Sequence, residues 1–252
     1  MSCSVSWALT DSVPAASATP LRFGTSEALD TPLITWQLTW QPGQVGKQLQ
    51  GGLLPELHQE LAKRLQRPLQ IVLLARKRVA LAMLEGKTDL HCYQAPEWFG
   101  PLAGKVPWSV PLFTLHNRII RQASAPAINT LDDLRGHALG TTLGYFHPTL
   151  EPYFRDGRVR RDDAGSGRQG FRKFMAGRLD FLVMNSLSLD WHLREWAQHR
   201  PDTPMPISTP LVFDPVEVRC ALSPALSRQA VNRVIDSMRA DDSLDAILRR
   251  YR

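Results

Sequence analysis

Basic and aromatic side chains are concentrated in two loops of the first half of the sequence, each directly after a short apolar run. The first loop contains Arg76 and Arg78, and the second contains Tyr93 and Trp98. Guanidinium groups bind anions well where the free N–H groups of a helix start lie nearby. Aromatic side chains form the walls of many small-molecule sites. The two loops therefore predict a site for a small polar or anionic molecule.

Each of these residue types also has a structural explanation that needs no ligand. Lys77 lies between the two arginines, so three consecutive side chains are basic. Charged side chains at a helix end commonly face solvent, which would explain all three without a ligand. Tryptophans such as Trp98 and Trp108 are more often core residues than ligand contacts. Glu97 either pairs with a neighbouring arginine or meets a ligand amine. The sequence leaves both explanations open.

Alternating helices and apolar runs place the two loops at one edge of a predicted sheet. A helix begins near Pro55 and is followed by a strand over Gln70–Leu74, which we expect to be covered on both faces. A second helix over Val79–Glu85 ends at Gly86, and a strand over Thr88–Cys92 follows. Helical crossovers between such strands indicate a parallel sheet, and ligands bind beyond the carboxyl ends of its strands.

The same pattern recurs in the second half of the chain. Strands are predicted over Ala138–Thr142 and Asp180–Met184, each followed by a loop and a helix. The residues after these strands belong to the same ligand-facing edge, and they are Gly144, Tyr145, Phe146 and Asn185. In the first half, Thr25 and Glu27 follow the strand Leu21–Thr25 and are predicted to lie on the floor of the site.

Two strands near 116–121 and 211–222 connect the repeats, which predicts two lobes with a cleft between them. The fold class is α/β, each lobe being a mainly parallel sheet flanked by helices, with the crossing strands as a hinge. The first lobe is predicted to comprise residues 21–115 plus 213–252, and the second residues 116–212. Residues 1–20 are a tail or the remnant of a signal sequence.

Three stretches lack a regular pattern. Residues 35–51 are predicted to be a loop, residues 155–168 are turn-like, and residues 200–210 contain four prolines that break regular structure.

Composition is typical of a globular protein and argues against nucleic acid as the main partner. The 252-residue chain has a net charge of +6, but its basic residues are scattered and no run exceeds Arg76–Arg78. No apolar stretch approaches the roughly 20 residues of a membrane helix, so no membrane span is predicted. The small residues at 15–18 resemble a signal cleavage site, although no basic segment precedes them.

The three cysteines, Cys3, Cys92 and Cys220, have no metal-type spacing. Cys92 and Cys220 fall in predicted strands, so we expect buried, unreactive thiols. The histidines are dispersed, and no catalytic triad order or phosphate loop stands out. The sequence therefore predicts no metal and no cofactor.

Several segments in order resemble the type 2 periplasmic solute-binding proteins of the amino-acid-binding kind (bacterial extracellular solute-binding protein family 3). They are EGKTDL, WSVPLF, INTLDDLRGHALG, AGRLDFLV and ALSPAL followed by DDSLDAILRRYR. The resemblance covers roughly residues 21–252. It implies a monomeric, two-lobed periplasmic protein that closes over a solute and delivers it to an ABC transporter permease or a sensor protein.

Two departures from the family bear on the ligand. Relatives carry an arginine after the strand that ends at Cys92 to bind the α-carboxylate, where this chain has PEWFGP. They carry an aspartate for the α-ammonium where this chain has Asn185. The resemblance therefore implies an amino-acid-like solute that is not a standard α-amino acid, with Arg76 and Arg78 as substitute anion ligands.

Two other functions stay open at this stage. Some relatives of the fold are dehydratases, and Glu27 or Glu97 would then be the general acid or base in the cleft. A ligand-sensing module of a signalling system is the other alternative. The absence of a helix-turn-helix segment before Leu21 argues against a full transcription regulator.

Overall fold

A computed structural model of the chain describes residues 19–27, 29–41, 44–75 and 78–252. The strands of this described part are β1 Leu21–Ser26, β2 Thr35–Gln41, β3 Gln44–Gly51, β4 Leu69–Leu74, β5 Leu90–Gln94, β6 Phe113–Arg121, β7 Ala138–Thr142, β8 Arg160–Ala164, β9 Phe181–Asn185 and β10 Ile207–Leu222. The α-helices are α1 Leu53–Arg64, α2 Val79–Leu84, α3 Pro96–Phe99, α4 Glu151–Arg155, α5 Gly167–Met175, α6 Ser186–His199, α7 Arg228–Ala240 and α8 Ser243–Arg249.

Eight of the strands form one mixed sheet in the order β4-β1-β5-β10-β6-β9-β7-β8. β1 is parallel to β4 and β5 at one end, and β7 is parallel to β8 and β9 at the other. The long strand β10 runs antiparallel to both β5 and β6 and so joins the two ends. We call the β4-β1-β5 side the first lobe and the β9-β7-β8 side the second lobe. The predicted α/β fold with two crossing strands is confirmed, whereas the lobe boundaries stay a prediction.

Helix α1 shows how the sequence builds the first-lobe core. Leu54, Leu57 and Leu61 recur at helical spacing and are at most 1% exposed. Gly52 precedes the helix with a positive φ of 117°, and a Cβ there would lie 2.6 Å from the carbonyl oxygen of Leu33. A glycine is therefore required for the chain to enter this helix. The predicted glycine stop at Gly86 is confirmed, with φ 68° directly after the second helix.

Cys92 and Cys220 form a disulfide between β5 and β10, so the expectation of free thiols is wrong. The two residues are direct cross-strand partners in the antiparallel pairing. They are separated by 128 residues in sequence, and only the tertiary pairing brings them together. Cys3 lies outside the described residues.

Four further predictions are corrected by the strand pattern. Residues 35–51 are not a loop, because β2 and β3 pair there as an antiparallel hairpin, and residues 155–168 contain β8. Strand β10 begins at Ile207, within the stretch predicted to be broken. β4 is an edge strand with Leu73 41% exposed, so it is not covered on both faces.

Candidate functional site

The register of the crossing strands locates a cleft where the two lobes meet. β5 ends at Gln94, which pairs with Arg219 of β10. β9 ends at Asn185, which pairs with Asn117 of β6. Between these points β10 and β6 run side by side, from the Phe213–Asn117 pair to the Val218–Phe113 pair. The carboxyl ends of the parallel strands of both lobes therefore point to the same crossing region, where small ligands bind in such folds.

The first-lobe floor of the cleft is buried. Thr25 and Ser26 end β1, the central strand of that lobe, and are 2% and 5% exposed. The Thr25 hydroxyl is enclosed and has no hydrogen-bond partner in the described part of the chain. Beneath it, the imidazole of His91 contacts the carbonyl oxygen of Gly24. Burial lowers the pKa of His91 to about 4, and the ring is therefore neutral at pH 7.

Aromatic residues form the first-lobe wall. Tyr93 lies within β5 rather than in the predicted loop, has a positive φ of 64° and is 5% exposed. Trp98 lies on the single-turn helix α3, with its ring centroid 5.7 Å from that of Tyr93. It is 40% exposed, and Phe113 packs on the other side of Tyr93 at 6.4 Å. The structure thus packs Trp98 against Tyr93 and leaves Trp98 40% exposed.

The charged candidates follow β1 and β4. Glu27 comes directly after β1, and its backbone N–H donates to Leu74 at the end of β4, at 3.0 Å. Arg78 is exposed and occupies the N-cap position of α2, without a side-chain hydrogen bond to the helix. Arg76 lies outside the described residues, so its role stays a prediction.

Trp108 is placed apart from the other aromatic candidates. It forms a single bridge with Ala221, its indole N–H donates to Ala103 at 2.9 Å, and its ring meets Phe99 edge-on at 4.9 Å. These contacts place it in a small core cluster with Val106. Trp108 therefore has a packing role, and its role as a ligand residue stays a prediction.

The second-lobe wall is a loop that faces solvent. Gly144 has a positive φ of 75° and turns the chain directly after β7. Leu143 and Phe146 on this loop are 62% and 58% exposed. Tyr145, between them, donates its N–H to Thr142 at 2.9 Å. Exposed apolar side chains beside a cleft are typical of ligand-binding surfaces.

Arg161 of β8 holds this loop in place. Its guanidinium donates to the carbonyl oxygen of Tyr145 at 2.7 Å and pairs with Asp163 at 2.9 Å and with Glu151 at 3.2 Å. Asp163 also accepts from the hydroxyl of Thr141 in β7. This network is one side of the enclosure of His147, whose pKa burial lowers to about 4. Sequence reasoning missed Arg161 because it lies in the unpredicted strand β8.

Asp214 fixes the other end of the loop to the crossing strand. It has a positive φ of 47° and lies in an irregularity of β10 between Phe213 and Val216. Its carboxylate accepts from the backbone N–H of Thr149 at 3.3 Å and from the Thr149 hydroxyl, and from the Asn117 amide at 3.4 Å. The Asp-Pro pair at 214–215 was the available signal, because such pairs favour breaks in a strand.

Asn185 closes the list of predicted residues and already has a structural role. Its side-chain oxygen caps helix α6 by accepting from the N–H of Ser188 at 2.9 Å. A ligand can therefore use only the remaining donor capacity of this amide. The Asn185 amide is neutral, so it provides no counter-charge for an ammonium group of a ligand.

One further contact crosses from the first lobe to the second. Asp30, which follows β1, accepts a hydrogen bond from the backbone N–H of Arg168 at the start of α5, at 3.3 Å. A carboxylate at a helix N-terminus is stabilised by the unpaired N–H groups there. Asp30 therefore ties the two lobes together beside the cleft.

Two features are absent from the described residues. These residues contain no group of three or more His, Cys, Asp and Glu side chains placed to hold a metal ion. In this part of the chain no helix combines the length and apolarity needed to cross a membrane.

The two sheet ends and the paired crossing strands form a two-lobed α/β fold, which is shared with solute-binding proteins of known structure. No protein-family profile and no curated protein sequence matches the chain. Among solved structures, the chain is similar to an ancestral arginine-binding protein bound to arginine, with a TM-score of 0.70 and 19% identity over 94% of this chain and 99% of that one.

Two other solved structures are similar to the same extent. The ancestral amino acid-binding protein AncCDT-1, described as a precursor of cyclohexadienyl dehydratase, has a TM-score of 0.67 and 20% identity over 92% of this chain and 95% of that one. The substrate-binding protein of an amino acid ABC transporter has a TM-score of 0.65 and 17% identity over 92% and 98%. At these identities the likeness establishes the fold.

Proposed function

We propose that this chain is an extracytoplasmic solute-binding protein that closes over a small polar or anionic solute, amino-acid-like in size but not a standard α-amino acid. The observation that carries the proposal is the wall after β5. Trp98 is 40% exposed on α3 and packs against Tyr93, at a place where the family resemblance implies a carboxylate-binding arginine and this chain has none. An indole face contributes apolar contact but no bidentate grip on a carboxylate.

The second lobe supports the same ligand class. Asn185 uses its side-chain oxygen to cap α6, so it provides no counter-charge for an α-ammonium group. Leu143 and Phe146 face solvent on the adjoining loop. A solute with an apolar or aromatic portion between Trp98 and this loop, and a polar or anionic group near Thr25 and Arg78, matches these surfaces.

Location and delivery follow from separate observations. A disulfide between Cys92 and Cys220 is typical of a protein that folds in an oxidising compartment, which favours the periplasm. The fold is shared with the substrate-binding protein of an amino acid ABC transporter. We therefore place this chain in solute uptake through an ABC transporter, with delivery to a sensor protein as the alternative. Closure stabilised by a solute that contacts both lobes would produce the signal in either case.

A ligand screen by thermal shift tests the proposal. Organic acids, aromatic acids, amino acids and polyamines are added to the whole protein, and a site-bound solute at about 100 times its Kd raises the stability by about 2.7 kcal/mol. Trp98→Ala and Phe146→Ala should each remove most of this gain. Leu38→Ala is the matched control, because Leu38 is equally apolar and 69% exposed but lies on the β2–β3 hairpin. A standard α-amino acid as the best ligand, unaffected by Trp98→Ala, would overturn the ligand assignment.

A cleft enzyme is the second candidate, favoured by the similarity to the dehydratase precursor. Glu27 follows β1 and Glu97 lies in the first turn of α3, both near the strand ends that form the cleft. Incubation of each stabilising solute, followed by mass spectrometry, separates the two functions. Unchanged solute supports binding alone, whereas turnover that Glu27→Gln or Glu97→Gln abolishes would replace binding by catalysis.

A further inference from the structure

A groove on the second lobe, outside the cleft, has the composition of a second ligand site. It lies between α5 and α6 and encloses about 310 Å³. Three arginines, four aromatic rings and one glutamate line it, and they are Arg168, Arg172, Arg200, Phe171, His192, Trp196, His199 and Glu195. A volume of this size lies at the lower end of the range for small-molecule pockets.

Two ring nitrogens of the groove are enclosed and lack hydrogen-bond partners among the described residues. His192 is 2% exposed and stacks on Phe171, with centroids 5.2 Å apart and an interplanar angle of 22°. Its Nε2 has no partner, while Nδ1 lies 3.7 Å from a carboxylate oxygen of Glu195. The indole Nε1 of Trp196 is likewise without a partner. A buried polar group without a partner destabilises the protein, and a bound ligand that hydrogen-bonds to it removes that cost.

The charges around the groove favour an anion. Arg168, Arg172 and Arg200 contribute three positive charges, and Arg200 lies over the ring of Trp196 at 5.3 Å. Two carboxylates oppose them. Glu195 lies 3.9 Å from the Arg168 guanidinium, and Asp30 of the first lobe accepts from the Arg168 backbone N–H. Burial lowers the pKa of His192, so its ring acts as a neutral hydrogen-bonding group while the arginines supply the charge.

We propose that the α5–α6 groove binds a small organic oxyanion whose flat apolar body lies along Trp196. Arg172 and Arg200 engage the carboxylate or phosphate group, and Nε2 of His192 supplies a hydrogen bond. Guanidinium groups match planar carboxylates in two-point contacts and also stack on aromatic faces. The site is separate from the cleft and does not depend on the identity of the transported solute.

Isothermal titration of the whole protein with benzoate and with inorganic phosphate tests this site. Benzoate should bind, and more tightly than phosphate, because only benzoate has a ring to lie along Trp196. The double variant Arg172→Gln with Arg200→Gln should weaken benzoate binding at least tenfold, and Trp196→Ala, which removes the ring, should weaken it severalfold. Arg178→Gln is the matched control, because Arg178 is an exposed arginine of the same lobe outside the groove.

The outcomes separate the two sites. Binding of neither probe, or binding that the arginine pair does not affect, would overturn the groove as an anion site. Binding of phosphate but not of benzoate would overturn the proposed contact between the apolar body of the ligand and Trp196. Trp98→Ala should leave benzoate affinity in the groove unchanged, so loss of binding in that variant would place the probe in the cleft instead. Failure of the solute screen, in contrast, leaves the groove result intact.

Discussion

The two walls of the cleft are held in position by different physical means. On the first-lobe side, Thr25 and Tyr93 belong to strands and are 2% and 5% exposed, so packing fixes them. On the second-lobe side, Leu143 and Phe146 lie on a loop and are more than half exposed. That loop is fixed by polar contacts from Arg161 and Asp214 at its two ends. The first wall should therefore respond to losses of core stability, and the second to losses of single polar contacts.

The largest effect on the first wall is expected from its covalent link. Replacing Cys92 and Cys220 together by serine should lower the free energy of unfolding by about 3–5 kcal/mol, because the bond closes a long loop between β5 and β10. Urea unfolding in oxidising buffer measures the change. Wild-type protein in dithiothreitol should unfold at the same lowered midpoint, and an unchanged midpoint in the variant would show that the disulfide does not stabilise this lobe.

Acid should have the next largest effect, on the first lobe through His58 and His91 and also on the second lobe, where burial lowers the pKa of His147 and His192. Burial lowers the pKa of His58 to about 3 and that of His91 to about 4, from an ordinary value near 6.5. The unfolded chain therefore binds more protons between pH 6.5 and 4, and stability falls as the pH falls through this window. By pH 5 each histidine should cost about 2 kcal/mol.

Urea unfolding at pH 7 and pH 5 measures this loss. His91→Gln cannot take up a proton, so its stability should depend less steeply on pH than that of the wild type. His199→Gln is the control, because His199 is exposed on the surface of α6. Equal pH dependence in the wild type and His91→Gln would contradict the assignment of His91 as a buried neutral group.

The smallest loss of stability is expected from a single substitution in the second wall. Arg161→Ala removes the donor to Tyr145 and leaves Asp163 and Glu151 without this partner. We expect about 1–2 kcal/mol of lost stability and roughly a tenfold loss of solute affinity, since the loop is no longer held in its binding position. Arg158→Ala is the control, because Arg158 lies in the same lobe and pairs with Asp156 away from the loop. If Arg161→Ala and Arg158→Ala lowered stability and solute affinity equally, Arg161 would have no special role in holding the loop.

The sequence predicts the apolar parts of this molecule well and the polar parts poorly. The leucine stripe of α1 and the strand Ala138–Thr142 follow from periodicity, and the structure places both as predicted. β8 is missed because its sequence, RRDDA, is charged, and its side chains are satisfied by ion pairs such as Arg161–Asp163 and Lys173–Asp162. Such pairs depend on neighbours that are distant in sequence.

The candidate site likewise contains residues that the sequence predicts and residues that it does not predict. The positions of Trp98 and of the Gly144 loop follow from their places after predicted strands. The roles of Asp30 and Asp214 do not, because each carboxylate meets its partner across at least 65 residues of chain. The left-handed conformation of Tyr93 has no sequence signal either, since tyrosine is not a residue that favours it.

The path of β10 also has a consequence for biosynthesis. The second-lobe strands β6 to β9 are complete before β10 begins, but β5, which pairs with β1 on one side, acquires its second neighbour only when residues 219–222 have left the ribosome. Until then, a short apolar strand end stays open on a nascent protein, and open strand edges pair readily with other chains. Any product truncated before residue 219 would therefore keep this edge of β5 exposed.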